Sequence, residues 1–185
     1  MKKHIITISG DLASGKSTVT DILKNKLGYE IYRNGEYVRS LAKEMNMDIT
    51  TFNSYVTNHP EIDKNIELSA SKYAEDHDNL IVDARLGWYS IPYSFKIYLK
   101  VDIDCSAKRA FNDPRRKSTE SFSTIEEQKE DIIKRYNSEN ERFFNLYGVH
   151  KEDMNNYDLV VDTTNLTIDE VVEVILNNYY DWLNK

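Results

Sequence analysis

Nine consecutive residues limit the fold of this chain more than any others: Gly10 to Thr18, which read GDLASGKST. They complete the pattern G-x-x-x-x-G-K-[ST]. An apolar alternation, His4-Ile5-Ile6-Thr7-Ile8, runs directly into them, and a helical pattern, Val19-Thr20-Asp21-Ile22-Leu23, follows. Strand, loop and helix in that order separate a phosphate-binding loop from a chance match. The glycines let the chain curl with its N–H groups inward, and the next helix adds its positive end, so the turn makes an anion nest. Gly10, Asp11, Ala13, Ser14, Gly15, Lys16, Ser17 and Thr18 are therefore expected around the phosphates of a nucleotide. Lys16 is placed to reach the β- and γ-phosphates, and Ser17 to ligate Mg2+. A plain glycine turn ending in an exposed lysine would need neither flanking element.

The rest of the chain alternates strand and helix signals. Strands are expected at His4–Ser9, Glu30–Tyr32, Leu80–Asp83, Phe95–Val101 and Leu159–Val161. Helices are expected at Ser17–Leu27, Gly35–Glu44, Thr50–Asn58, Pro60–Glu75, from Ser106 onward, at Thr124–Phe144 and at Thr167–Trp182. Thr167 and Glu170 fit a capping box on the last of these. Such alternation predicts an α/β fold with a parallel sheet covered on both faces. Ligands of these sheets bind beyond the strand C-termini, and Gly10, Asp83, Asp102 and Asp162 all fall at or just past a strand end. The helical stretch between the second and third strands is long for a simple crossover, so it is expected to project over that rim.

With 185 residues the chain reads as one domain. A net charge of −7 argues against non-specific nucleic-acid binding as the main activity. Cys105 is the single cysteine, so no intramolecular disulfide can form. The chain enters a strand at once, without a leader pattern, and no apolar run approaches the ~20 residues of a membrane span. These features point to a soluble cytoplasmic protein. The four histidines have no ligand spacing.

Phosphoryl transfer needs cations around the migrating group, which makes the arginines informative. Arg39 follows Asn34-Gly35-Glu36. Arg85 follows the strand end Asp83-Ala84. Arg115 and Arg116 follow Pro114. Arg135 and Arg142 flank Glu139 in the spacing R-x3-E-x2-R, which puts all three on one side of a helix. Singly, each reads as a surface arginine, and Arg135, Glu139 and Arg142 also fit a salt-bridged solvated face.

With these residues in view, the whole chain resembles the cytidylate kinase-like family, of the archaeal type, among the nucleoside-monophosphate kinases of the P-loop superfamily. The family's opening strand and GxxxSGKST match residues 5–18. Its S-x-G-E-x-x-R-x-L-A resembles Arg33 to Ala42, its P-E-I-D matches Pro60-Glu61-Ile62-Asp63, and its E-G-R-L-x-x-W resembles Asp83 to Trp88. Its paired-arginine helix resembles Arg135 to Arg142, followed by Tyr147-Gly148. Its Y-D-L-V-I-N-T matches Tyr157 to Thr163. Asn34 and Ala84 depart from the family's small residue and glycine, both on the acceptor side.

The resemblance implies a three-layer P-loop sandwich spanning 1–185. A helical monophosphate-binding insert is implied at about 34–78, and a small lid at about 111–123. It implies ATP and Mg2+ as cofactors, with Ser17 and Asp83 as metal-linked residues. Lys16, Arg115 or Arg116, Arg135 and Arg142 would surround the transferring phosphoryl group. Gly35, Arg39, Asp63, Arg85 and Glu139 would serve the acceptor, with Arg39 and Arg85 on its phosphate. Arg109 would stack on adenine, beside Thr163 and Thr164. The expected reaction is phosphoryl transfer from ATP to a nucleoside monophosphate, with CMP or dCMP favoured. The expected partner is thus a small nucleotide, with no nucleic acid or membrane, and the protein is expected to be a monomer or a weak homodimer. Other small-acceptor kinases (dephospho-coenzyme A, shikimate-type or nucleoside) and a non-catalytic nucleotide-binding regulator are the rival readings. A nucleotide hydrolase is disfavoured, because no glutamate follows Asp83.

Overall fold

The computed structural model describes residues 3–48, 51–52, 55–56, 58–114 and 122–184. Five strands form one parallel sheet: β1 (Ile5–Gly10), β2 (Glu30–Arg33), β3 (Leu80–Asp83), β4 (Phe95–Lys100) and β5 (Leu159–Asp162), in the order β2-β3-β1-β4-β5. The helices are α1 (Lys16–Leu27), α2 (Asn34–Glu44), α3 (Pro60–Asp76), the single-turn α4 (Gly87–Ser90), α5 (Ile103–Asn112), α6 (Ile125–Tyr147) and α7 (Ile168–Leu183).

The central strands β1, β3 and β4 are largely buried because helices cover both faces of the sheet, while the edge strands β2 and β5 are only partly buried. Side chains alternate across a strand, so neighbours in β1 enter different cores. Ile6 and Ile8 join Ile81, Ile97 and Leu99 against Val19 and Leu23 of α1 and Val172, Ile175 and Tyr179 of α7. Ile5 instead joins Leu80 and Val82 against Ala70 and Ala74 of α3. On that second face Phe143 of α6 and Trp88 of α4 pack with Tyr98 and Tyr157. The result is the expected three-layer sandwich.

Most element limits follow the local signals. Thr167 and Glu170 make the capping box reciprocally. Thr124 caps α6 by accepting from Glu127 N–H. The helix expected from Ser106 begins earlier, at Ile103, because the Asp102 carboxylate caps the Asp104 and Cys105 amides. The single turn α4 was not anticipated. In the insert, the described residues 51, 52, 55 and 56 are helical. Ala42, Phe52, Val56 and Ile66 give the insert its own small core. Of the expected lid, residues 111–112 belong to the end of α5, and 115–121, with Arg115 and Arg116, lie outside the described residues.

Candidate active site

The phosphate loop is shaped by two glycines with different tasks. At Gly10, where β1 ends, an added Cβ would lie 2.6 Å from the Leu99 carbonyl oxygen of β4, so backbone itself excludes a side chain. Gly15 has φ 87 and sits at the N-cap of α1, a conformation that costs glycine little. Ala13 also has positive φ, at 57, so the chain reverses around Ser14. No side chain caps α1, and its first turn holds no acidic residue. The first N–H groups of the helix are thus left for an anion.

Asp11 was expected to serve the nucleotide. In this structure its groups bond to β4 and the residue after it: Tyr98 donates its hydroxyl to Oδ1 at 2.5 Å, the Val101 N–H donates to Oδ2 at 3.0 Å, and the Asp11 N–H donates to the Leu99 carbonyl at 2.9 Å. Burial, reinforced by the Asp11 charge, pushes the Tyr98 hydroxyl far above its ordinary range, so it remains a donor. Ser106 of α5 donates to the Leu12 carbonyl at 2.7 Å and pins the other arm of the loop. Asp11 therefore holds the loop's position from behind.

β1 and β3 run in register, with Ile8 opposite Asp83. This brings the Lys16 ammonium onto Asp83 Oδ1 in an ion pair at the rim. Ser17 is exposed in the first turn of α1. Beyond β3, Arg85 extends to α6 and pairs with Glu139. The second oxygen of Glu139 accepts from Lys151 Nζ at 2.8 Å, and that ammonium lies 4.5 Å above the Tyr136 ring. Arg142 Nε lies 3.6 Å from Asp63 Oδ2 of α3, close enough for charge attraction but long for a hydrogen bond.

These groups form one electrostatic cluster. Desolvation, then repulsion from Arg142 and Arg135, lowers Arg85 to about 10, so it stays cationic at neutral pH. Its side chain is 45 % exposed. Burial, and then Arg85, lowers Lys151 to about 8. Burial raises Glu67 to about 7 against the opposing pull of Arg142. Asp63 is raised by the same cause.

The sequence-predicted residues are only partly gathered. Arg85, Glu139, Arg142 and Asp63 meet on the α3–α6 side. Glu139 neutralises Arg85 and Lys151, not the flanking Arg135 and Arg142 as its spacing had implied; the helix points it at the β3 end. Arg135 makes a 3.6 Å ion pair with Asp131, one turn back on its own helix. Arg39 is exposed on α2, and its guanidinium lies beside Gly35, 3.6 Å from where a Cβ would stand. Arg109 donates to the Thr163 hydroxyl at 3.2 Å, to the Thr163 carbonyl at 2.8 Å and to the Thr164 carbonyl at 3.3 Å. The three residues expected at the adenine side thus adjoin one another.

Sequence reasoning missed Glu67 and Lys151. Glu67 had a visible signal: Asp63, Ile66, Glu67, Ala70 and Ala74 recur at helical spacing and form the buried face of α3. Two carboxylates one turn apart on an apolar face call for partners. Lys151 had none, since its role depends on where the loop after α6 returns.

Residues 5–165 match the model of the cytidylate kinase-like family. The chain is 37% identical over 176 residues to a cytidylate kinase of Thermoplasma volcanium, covering 93% of this chain and 89% of that protein. It is 38% identical over 173 residues to a cytidylate kinase of Sulfolobus acidocaldarius, covering 92% and 91% respectively. Among solved structures, a shikimate kinase from Bacteroides thetaiotaomicron superposes with a TM-score of 0.63 at 12% identity, covering 94% of this chain and 97% of that one. At that identity the likeness concerns the fold alone.

Proposed function

We propose that this chain, which belongs to the cytidylate kinase-like family and is an ATP-dependent phosphotransferase of the nucleoside-monophosphate kinase kind, uses CMP or dCMP as its acceptor. The observation that carries the reading is that cations lie on two sides of the rim. Lys16 stands on the phosphate loop, and Arg85 with Arg142 stands across from it on the acceptor side. A donor triphosphate and an acceptor that already bears phosphate together need both.

In this reading the loop amides and Lys16 hold the β- and γ-phosphates of ATP, while Arg109, Thr163 and Thr164 line the adenine. Ser17 and Asp83 fit Mg2+ bound with the triphosphate, a hydroxyl and a carboxylate being the hard oxygen donors that ion takes beside phosphate oxygens, and the ion would neutralise charge on those oxygens. Arg85 leaves Glu139 for the acceptor phosphate, which offers a dianion and two-point geometry in place of one carboxylate. Arg39 is the second phosphate contact from the insert. Arg135 and Arg142, with Arg115 or Arg116 from the lid, face the migrating group. The protein then needs little covalent chemistry, because alignment and charge neutralisation lower the barrier.

The chain is proposed to be one domain throughout, with the insert at about 34–78 and the lid at about 111–123. No helix among the described residues is long and apolar enough to cross a membrane, in keeping with a cytoplasmic enzyme. Titration calorimetry with CMP and with cytidine tests the acceptor half of the proposal. CMP is expected to bind far more tightly, and equal affinities would remove the phosphate-gripping role of the acceptor side.

A further inference from the structure

Lys151 is 7 % exposed, and a lysine is almost never so buried unless it is paired. Its ammonium donates to Glu139 Oε2 at 2.8 Å and lies 4.5 Å above the Tyr136 ring. The other oxygen of Glu139 carries Arg85. One carboxylate thus stands between two cations, and the two differ in freedom. The Lys151 side chain is 9 % exposed and that of Arg85 45 %. The lysine is also anchored through its backbone, because the Tyr157 hydroxyl donates to the Lys151 carbonyl at 2.8 Å. The Tyr157 ring in turn lies 5.0 Å from that of Tyr98 and 5.6 Å from that of Trp88, and Tyr98 holds Asp11 of the phosphate loop. The lysine is fixed to the sheet, and the arginine is the member that can leave.

The departure of Arg85 has a cost that this arrangement reduces. The Glu139 side chain is only 17 % exposed, and a carboxylate so placed is strongly disfavoured without a counter-charge. An arginine that was its only partner would be held there. With Lys151 in place, the carboxylate keeps a charge-assisted hydrogen bond after the guanidinium swings to a phosphate. We propose that Lys151 is a positioning residue for phosphoryl transfer: it keeps Glu139 neutralised, so that Arg85 is free to move from that carboxylate to the acceptor's phosphate. This rests on the reading of Arg85 as a contact of the acceptor's phosphate, and it gives a task to a lysine that acts through its neighbours. The ammonium must be charged for this. Burial, then Arg85 and more weakly Arg142, oppose its charge, whereas Asp11 of the loop and the adjoining Glu152 favour it. Glu139 accepts from it, Tyr136 offers its ring face, and Tyr157 bonds only its backbone. The balance, at about 8, leaves it mostly protonated at neutral pH. Removing Arg85 from its side relieves a repulsion, so acceptor binding and the charged lysine favour each other.

Titration calorimetry of the full-length protein with CMP, and separately with a non-hydrolysable ATP analogue, tests this. Wild-type affinity for CMP is expected to fall several-fold from pH 7 to 9 as Lys151 loses its proton, while affinity for the ATP analogue holds. The ligand itself does not cause such a fall, because a phosphate monoester titrates at about 6 and is a dianion across that window. Lys151→Met, which keeps the length of the stem, is expected to weaken CMP binding by roughly tenfold at pH 7, a size that charges coupled in one network reach, and to flatten the pH profile. Lys151→Arg is expected to restore the affinity and to hold it to pH 9. In a Glu139→Gln background there is no carboxylate to neutralise, so adding Lys151→Met is expected to change CMP affinity by less than about twofold. A full loss in that background would mean that Lys151 acts on the acceptor directly or only supports the fold, and overturns the proposal. So does a wild-type CMP affinity that is flat from pH 7 to 9, a result that needs no variant to fold. Tight CMP binding with that flat profile leaves the acceptor reading standing and removes only the role of Lys151. A wild type that binds no CMP removes both.

Discussion

Lys16 and Asp83 are ion-paired across the rim where β1 and β3 end. The pair joins the lysine that the phosphate loop supplies to the carboxylate expected beside the metal. It is partly open to solvent, and a triphosphate with its cation can compete for both members.

Lys16→Ala is expected to lower kcat by on the order of 10²-fold or more, as does loss of one preorganised charge-stabilising donor elsewhere. Asp83→Asn is expected to raise the Mg2+ concentration needed for half-maximal rate. Steady-state rates across a Mg2+ titration check both, and near wild-type turnover in Lys16→Ala would remove the loop from the mechanism.

Arg85→Ala is expected to weaken monophosphate binding far more than ATP binding, with Arg85→Lys restoring only part of it, since an ammonium lacks the planar fork. Calorimetry with CMP and, separately, with a non-hydrolysable ATP analogue distinguishes the two. Equal weakening of both ligands would put Arg85 on the wrong side of the cleft.

The raised Glu67 carboxyl makes folding stability depend on pH. Its folded value of about 7 lies above the ordinary 4.5, so between those values the folded state binds the extra proton. Stability from this group is complete below about pH 4.5 and declines as pH rises toward 7, by roughly 3 kcal/mol in all. Asp63, also raised, slopes the same way. Lys151, lowered to about 8, slopes the other way, but only above that pH. Chemical denaturation of wild type and Glu67→Gln from pH 4.5 to 7 should show a steeper decline in the wild type than in the variant, which keeps only the Asp63 contribution. Parallel curves would contradict the buried-carboxyl account.

Gly10→Ala is expected to destabilise the fold by about 1–3 kcal/mol, the usual range for forcing a methyl into packed structure, because its Cβ meets the Leu99 carbonyl oxygen of β4. Thermal unfolding with and without ATP checks this. A variant as stable as wild type, with unchanged ATP protection, would mean that the β1–β4 approach can relax.

The fold was legible because its signals are local and repeated. Ile5 to Ile8 and Leu80 to Val82 mark buried strands, Leu159 to Val161 marks the partly exposed edge strand β5, and the loop motif fixes where the sheet's functional rim lies. Caps were less visible: Asp102 starts α5 three residues before the apolar trace suggested, because the cap is polar. The site was harder to read, since its residues come from distant segments. The spacing of Arg135, Glu139 and Arg142 showed a shared helix side but not that Glu139 would meet Arg85 and Lys151, a contact fixed by how α6 crosses the end of β3. Asp11 sits within the loop motif, yet its carboxylate supports the loop through Tyr98, a pairing that depends on the β1–β4 register.

The most direct test of the central claim is ADP release, followed by a coupled assay, with ATP·Mg2+ and a panel of CMP, dCMP, UMP, AMP, GMP, cytidine, dephospho-coenzyme A and shikimate. The account predicts rapid release with CMP and dCMP, little with cytidine, and none above background with shikimate or dephospho-coenzyme A. Turnover confined to an acceptor without a nucleoside 5′-phosphate, or ADP release that no acceptor accelerates, would contradict it.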